Sequence, residues 1–397
     1  LVFKIVLAAL GRTDYPVAGD LELKYDNANK VYLSGGSSKY IDSATLWSTI
    51  GEETTQYDID NNLHLDASNE QIVYASDASV TAGGQIGSSC AISGEYIIVG
   101  RREASDVVTA GGAAYILKRF GNTFIHDTKL VLPSPVAWDQ FGISVDIDGD
   151  YAIVGAEGAD SAFVYHRSGG MWSQQAKLTS GTSSTRFGWS VSISGEYAVV
   201  GAYLDDTGGS DRGKVYIYKR SGTTWTQQTT IQASDAQNSD RFGRAVNIDG
   251  DTIVIGAYYE DAGGTEAGAV YVFTGSGSTW TEQVKLMASD IQAGDFFGYS
   301  VSISGNTIVV GASQEDAGGG NAGAAYVFTG SGSTWAQQAK LMASDYAADD
   351  QFGYSVSIDG DYVIVGANQE DTNGSNAGSA YVYSRSGSTW SEIKKIQ

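Results

Sequence analysis

The chain has 397 residues, with 51 glycines, only 3 prolines, 24 tyrosines and a formal net charge of −22. So acidic a surface repels phosphate backbones and anionic membrane faces, which argues against a nucleic-acid or lipid partner. No run approaches the roughly 20 apolar residues of a membrane span, and the single cysteine, Cys90, excludes an internal disulfide.

In chain order, the apolar Leu1–Leu10 carries a lysine and reads as a strand rather than the end of a signal peptide. Residues 20–66 hold candidate hairpins, the clearest being Leu21–Tyr25 turning through Asp26–Asn29.

From residue 71 the chain repeats. Phe-Gly pairs stand at Phe141-Gly142, Phe187-Gly188, Phe242-Gly243, Phe297-Gly298 and Phe352-Gly353, with Ile86-Gly87 as a degenerate first copy. A second glycine follows each pair's glycine by thirteen residues, at Gly100, Gly155, Gly201, Gly256, Gly311 and Gly366. A period near 55 residues is the signature of a repeat architecture.

Each repeat reads as four strands. Strand A (Tyr354–Ile358) alternates small polar with β-branched residues and ends in an Asp-Gly or Ser-Gly hairpin turn. Strand B (Thr307–Ala312) is a nearly continuous apolar run, as expected of a strand covered on both faces. Strand C (Ala324–Phe328) is again apolar, and strand D (Trp335–Leu341) is more polar.

Such a sheet cannot bury both faces alone and must stack on its own copies. The expected fold is therefore all-β: a β-propeller of four-stranded antiparallel blades, with strand A at the axis and strand D at the rim. Six repeats are clear, and Gln71–Asp77 resembles the end of strand D at Lys340–Asp345, so seven blades are favoured. Residues 1–70 are then a degenerate blade or a small β attachment domain, and 71–397 the propeller. The tryptophans in register, Trp172, Trp225, Trp280, Trp335 and Trp390, with Phe124 in the first copy, read as blade-packing residues rather than sugar platforms. Cys90, where other repeats carry Val or Ala, reads as a small buried hydrophobe.

The Phe-Gly, Gly-Ala and Tyr/Trp positions over about residues 71–397 resemble the FG-GAP repeat family, which includes the integrin α-subunit propellers. The resemblance implies a seven-bladed propeller serving adhesion or ligand recognition, mostly outside cells. One departure stands out. The integrin type has a calcium loop between strands A and B, whereas this chain has a two-residue turn flanked by acids such as Asp146, Asp148 and Asp150.

In an up-and-down blade the B–C and D–A connections share one face. The B–C loops carry the pairs Asp205-Asp206, Glu260-Asp261, Glu315-Asp316 and Glu370-Asp371, and the D–A loops add Asp235, Asp240, Asp290, Asp295, Asp345 and Asp350. These eight paired acids are the candidate ligand face. No cofactor is demanded by the sequence, but calcium, which takes six to eight oxygens, would draw on Asp206, Asp261, Asp316, Asp371, Asp235, Asp290 and Asp345. The competing reading is that the same aspartates merely tie their own turns.

Enzyme signatures are missing: the three histidines, His64, His126 and His166, have no metal-ligand spacing, and no nucleophile elbow, phosphate loop or dinucleotide fingerprint occurs. The expected function is a non-enzymatic recognition or adhesion module, extracellular or at the cell surface, binding a protein or glycan. The alternative is a structural component of an assembly, such as a virion or surface fibre, that meets other subunits through residues 1–70. A carbohydrate-active enzyme with a carboxylate pair is the least supported reading.

Overall fold

The computed structural model describes residues 86–397 apart from residue 122, and before them only the backbone of Glu22–Asp26, Lys30–Ser34, Lys39–Ile41, His64–Leu65 and Gln71–Ile72. Residues 86–397 fold into six four-stranded antiparallel sheets, each in the order A-B-C-D.

The fifth blade shows why. Its strands are Phe297–Ser304, Thr307–Ala312, Ala324–Ser331 and Thr334–Leu341. Gly305, at φ +55° with no atom near its missing Cβ, closes the tight A–B turn. Every residue of strand B is buried, as is the first half of strand C, whereas strand D is exposed or half-buried up to Leu341. The expected gradient from axis to rim is present.

Each strand A packs on the strand A of the next blade, at five successive junctions. Strand A residues of all six blades line one axial cavity of about 290 Å³ at the end where these strands begin.

The Phe-Gly pair builds the junctions. Phe297 is fully buried and meets Tyr326 and Phe328 of its own strand C edge-on, at 5.6 and 6.0 Å. Its backbone N–H reaches back to the carbonyl of Ala267 in the preceding blade at 2.8 Å. Glycine is obligatory in the Gly-Ala position: a Cβ on Gly311 would lie 1.9 Å from the carbonyl oxygen of Gly353. The tryptophans do pack between blades, for Trp172, Trp225 and Trp280 meet Tyr96, Tyr151 and Tyr197 of the preceding blade edge-on at 5.9, 6.2 and 5.5 Å.

Cys90 is half-buried on the channel wall rather than buried, because strand A is the axial strand. Among the described residues the blades number six, not seven. In the N-terminal stretch Glu22–Asp26 pairs with Lys30–Ser34, and Lys30–Ser34 with Lys39–Ile41, giving three strands in sequence order; His64–Leu65 pairs with Gln71–Ile72. The strand expected at 1–10 lies outside the described residues.

Candidate functional site

The B–C and D–A loops lie against each other on one face. In the fifth blade, Asn321 donates to the side chain of Asp349 at 2.9 Å, and the N–H of Gln351 to the carbonyl of Asn321 at 3.1 Å.

The first acid of each pair points inward. Asp205, Glu260, Glu315 and Glu370 are at most 4% exposed. Each accepts an N–H from two residues on, at Thr207, Ala262, Ala317 and Thr372, at 2.9–3.0 Å. A lysine completes the arrangement: Lys285, Lys340 and Lys395 of strand D bridge Glu260, Glu315 and Glu370 to Asp235, Asp290 and Asp345, all at 2.7–3.0 Å. In the third blade Lys214 of strand C reaches Asp205 at 3.3 Å.

The second acids point outward. Asp206, Asp261, Asp316 and Asp371 each accept the N–H five residues on, at Asp211, Glu266, Asn321 and Asn376, at 2.6–2.8 Å. The structure thus brings one acid of each pair to a lysine and leaves the other on its own turn. Among the described residues no group of three or more His, Cys, Asp or Glu side chains is placed to hold a metal ion. On the opposite face, Asp146 takes the hydroxyl of Ser192 and the N–H of Ile193, and Asp148 the N–H of Gly195.

These partners set the acids' ionisation. Burial opposes the charge on Glu370, but hydrogen bonds from Ser379, Thr372 and Lys395 outweigh it and pull the carboxyl down to about 2. Asp240 and Asp295, 2% and 3% exposed, go the other way. Burial raises each to about 6 despite one backbone N–H apiece, from Gln237 and Gln292.

A second cluster gathers where the axial cavity opens on this same face. The residue after each Phe-Gly pair rims the mouth, and it changes around the ring: Ser88, Ile143, Trp189, Arg244, Tyr299 and Tyr354. The guanidinium of Arg244 lies over Trp189 at 4.4 Å and over Tyr299 at 4.7 Å, and donates to the Tyr299 hydroxyl at 3.2 Å. Arg241 lies over Tyr259 at 4.1 Å and donates to the Tyr258 hydroxyl at 2.5 Å. Tyr299 in turn meets Tyr354, ring centres 5.1 Å apart.

The backbone there is unusual too. The residue before each Phe-Gly pair is left-handed: Gln140, Arg186, Arg241, Phe296 and Gln351 have φ between +53° and +57°, and none is glycine.

A model of the FG-GAP repeat matches five segments, residues 126–170, 172–218, 225–273, 280–328 and 335–383. The chain belongs to the FG-GAP repeat family. It is also similar to human integrin alpha-11, 34% identical over 103 residues, which are 23% of this chain and 8% of that protein. The chain therefore spans only a small part of that relative.

Among solved structures, two proteins described as 6-phosphogluconolactonases share the fold. The one from Bacteroides uniformis has a TM-score of 0.54 at 11% identity, over 78% of this chain and 85% of its own. The one from Bacteroides fragilis has a TM-score of 0.53 at 12% identity, over 78% and 84%. At such identity the likeness is one of fold alone.

The FG-GAP pattern explains why the mouth escapes a reading by periodicity. A search for what recurs finds the Phe-Gly pairs, the tryptophans and the acidic loops. Trp189, Arg244, Tyr299 and Tyr354 occupy a fixed register with no fixed residue. The signal was available as that variation, one place after each Phe-Gly pair.

Proposed function

We propose that the chain is a non-enzymatic recognition module, acting outside the cell or at its surface, that takes a protein or glycan on the face of the B–C and D–A loops. One observation carries this reading. The residues that repeat from blade to blade are spent on packing and on loop ties, and the ring's sameness breaks at the axial mouth, where half-buried aromatics and arginines meet. Residues of that kind dominate binding energy in recognition sites. The family and the partial likeness to integrin alpha-11 support the same reading. Capture by the full chain on a glycan array and from a panel of surface proteins tests it. The Trp189→Ala/Tyr354→Ala double variant should lose whatever is captured, while Asp361→Asn, on the opposite face, should keep it. Equal capture by all three proteins defeats the reading.

We infer further that residues 1–85 complete a seventh blade between the sixth and the first. Four serines of strand A, Ser88, Ser144, Ser190 and Ser300, donate to the Phe-Gly carbonyl of the following blade at 2.8–2.9 Å. The equivalent Ser355 of the sixth blade has a buried hydroxyl with no hydrogen-bond partner. Ile364 and Val382 on the sixth blade and Ile97 and Leu117 on the first alternate with residues packed on blades five and two, so they face the seam. They are buried yet belong to separate clusters, and among the described residues no junction like the other five joins these blades. A missing wedge fits all three facts, and supports a blade over a separate attachment domain.

A further inference from the structure

The geometry points to an anion-reading mouth: we propose that Arg244 and Arg241, framed by aromatic rings, bind a carboxylate-bearing sugar such as a terminal uronic acid. This rests on the recognition reading above and deepens it by naming the ligand class.

Arginine in so acidic a chain should find carboxylates readily. Of the arginines near the mouth, Arg186 and Arg102 have done so, with Glu157 at 3.4 Å and Glu103 at 3.7 Å. Arg241 and Arg244 have no acidic partner within ion-pair distance among the described residues. Aromatic rings hold them instead, the Arg244 guanidinium lying over the rings of Trp189 and Tyr299. A cation held over aromatic rings keeps N–H groups for other acceptors. One of these meets Tyr299; the others are set for a planar, bidentate acceptor, which is what a carboxylate offers. Arg241 adds a second positive charge beside it, through terminal nitrogens rather than its Nε, which is closed off from solvent.

The body of the ligand follows from its surroundings. The cavity, at about 290 Å³, sits at the small end of ligand pockets and fits a single sugar unit better than a folded surface. Tyr354, 38% exposed, presents an aromatic ring beside the arginines for the apolar face of a pyranose. Outward-pointing Asp206, Asp261, Asp316 and Asp371 ring the same face, and the net charge is −22. That field repels a polyanionic peptide, whereas one carboxylate on a neutral, hydroxyl-rich body meets little of it.

Calorimetric titration of the full chain with glucuronate, glucose, glutarate and a Glu-rich peptide tests the proposal. Glucuronate should bind, and glucose and the peptide should not. Arg244→Gln should weaken glucuronate binding at least tenfold with an unchanged melting temperature, and Arg241→Gln should do likewise. Tyr354→Ala, at an exposed position, should weaken glucuronate but leave any residual glutarate binding alone. Glutarate binding as tightly as glucuronate overturns the sugar half of the proposal. Absence of glucuronate binding, or full binding by Arg244→Gln, overturns it entirely. If the array still captures a neutral glycan or a protein that Arg244→Gln also captures, recognition stands and only the anionic ligand falls.

Discussion

The hydroxyl of Ser300 donates to the carbonyl of Gly353 across the junction of the fifth and sixth blades, at 2.9 Å. The same carbonyl oxygen blocks the Cβ position of Gly311 at 1.9 Å. One peptide group therefore fixes both the spacing and the register of neighbouring blades.

Gly311→Ala should consequently be among the most damaging single substitutions in the chain. Two backbones would have to separate, and a loss of about 3 kcal/mol or more is expected, in the range of severe packing defects. Gly305→Ala offers the control, since its Cβ meets nothing and only the left-handed φ costs, about 1 kcal/mol. Urea unfolding of the two variants should separate them clearly; equal losses would refute the account of the junction.

Ser300→Ala should cost about 1 kcal/mol, the net worth of one hydrogen bond plus an orphaned carbonyl. If the seventh blade supplies the carbonyl that Ser355 lacks among the described residues, Ser355→Ala should cost about as much in the full chain, and no measurable loss would count against that blade. Removing residues 1–70 should lower the melting temperature and promote self-association through the exposed seam. A deletion variant that melts like the full chain and stays monomeric would speak for a separate attachment domain.

The lysine bridges are structural. Lys340→Met would leave Glu315, 1% exposed, as a buried carboxylate facing only a backbone N–H, and should destabilise by about 3 kcal/mol. Pairing it with Glu315→Gln should recover much of the loss, which a double-mutant cycle in thermal unfolding would detect.

Acidity should act in two opposing windows. Asp240 and Asp295 sit near 6 in the folded chain, above their unfolded value, so the native state binds more protons between about pH 4 and 6. Their contribution is fully present below that range and is lost as pH rises through 6. Glu370, near 2, works the other way, its contribution being present above about pH 4.5 and lost as pH falls towards 2. Asp295→Asn keeps an acceptor for Gln292 and should flatten the upper window, raising stability at pH 7 by on the order of 1 kcal/mol. A melting profile from pH 3 to 8 in which wild type and variant run parallel would contradict this.

Calcium should have little effect on the melting temperature. The outward aspartates already accept N–H groups of their own loops, and Asp235, Asp290 and Asp345 are held by lysines. A rise of several degrees with millimolar calcium, reversed by a chelator, would revive a metal role for these loops.

Most of the scaffold could be read directly from the residues. Strand B was legible because Thr307–Ala312 is a nearly continuous apolar run, and the blade packing because Trp172, Trp225 and Trp280 keep their register. The candidate site was only partly legible. Glu315 and Asp316 are neighbours of like charge, and only three-dimensional placement shows one sent to Lys340 and the other to the N–H of Asn321. Arg244 was invisible for the opposite reason, since its meaning depends on Trp189 and Tyr299, 55 residues away in each direction. Its partners come together only when the ring brings successive blades side by side.

The left-handed residues before the Phe-Gly pairs set the frame of this mouth. Gln140, Arg186, Arg241, Phe296 and Gln351 differ in size, charge and polarity, yet all share one backbone conformation. That conformation is uncommon for residues other than glycine, and each of these five adopts it ahead of its Phe-Gly pair. These positions precede the rim residues by three places, so the turn sets where the rim side chains stand without being part of the rim. One backbone turn thus carries glutamine, arginine or phenylalanine, and the Phe-Gly pair that follows it stays in place in each of these blades.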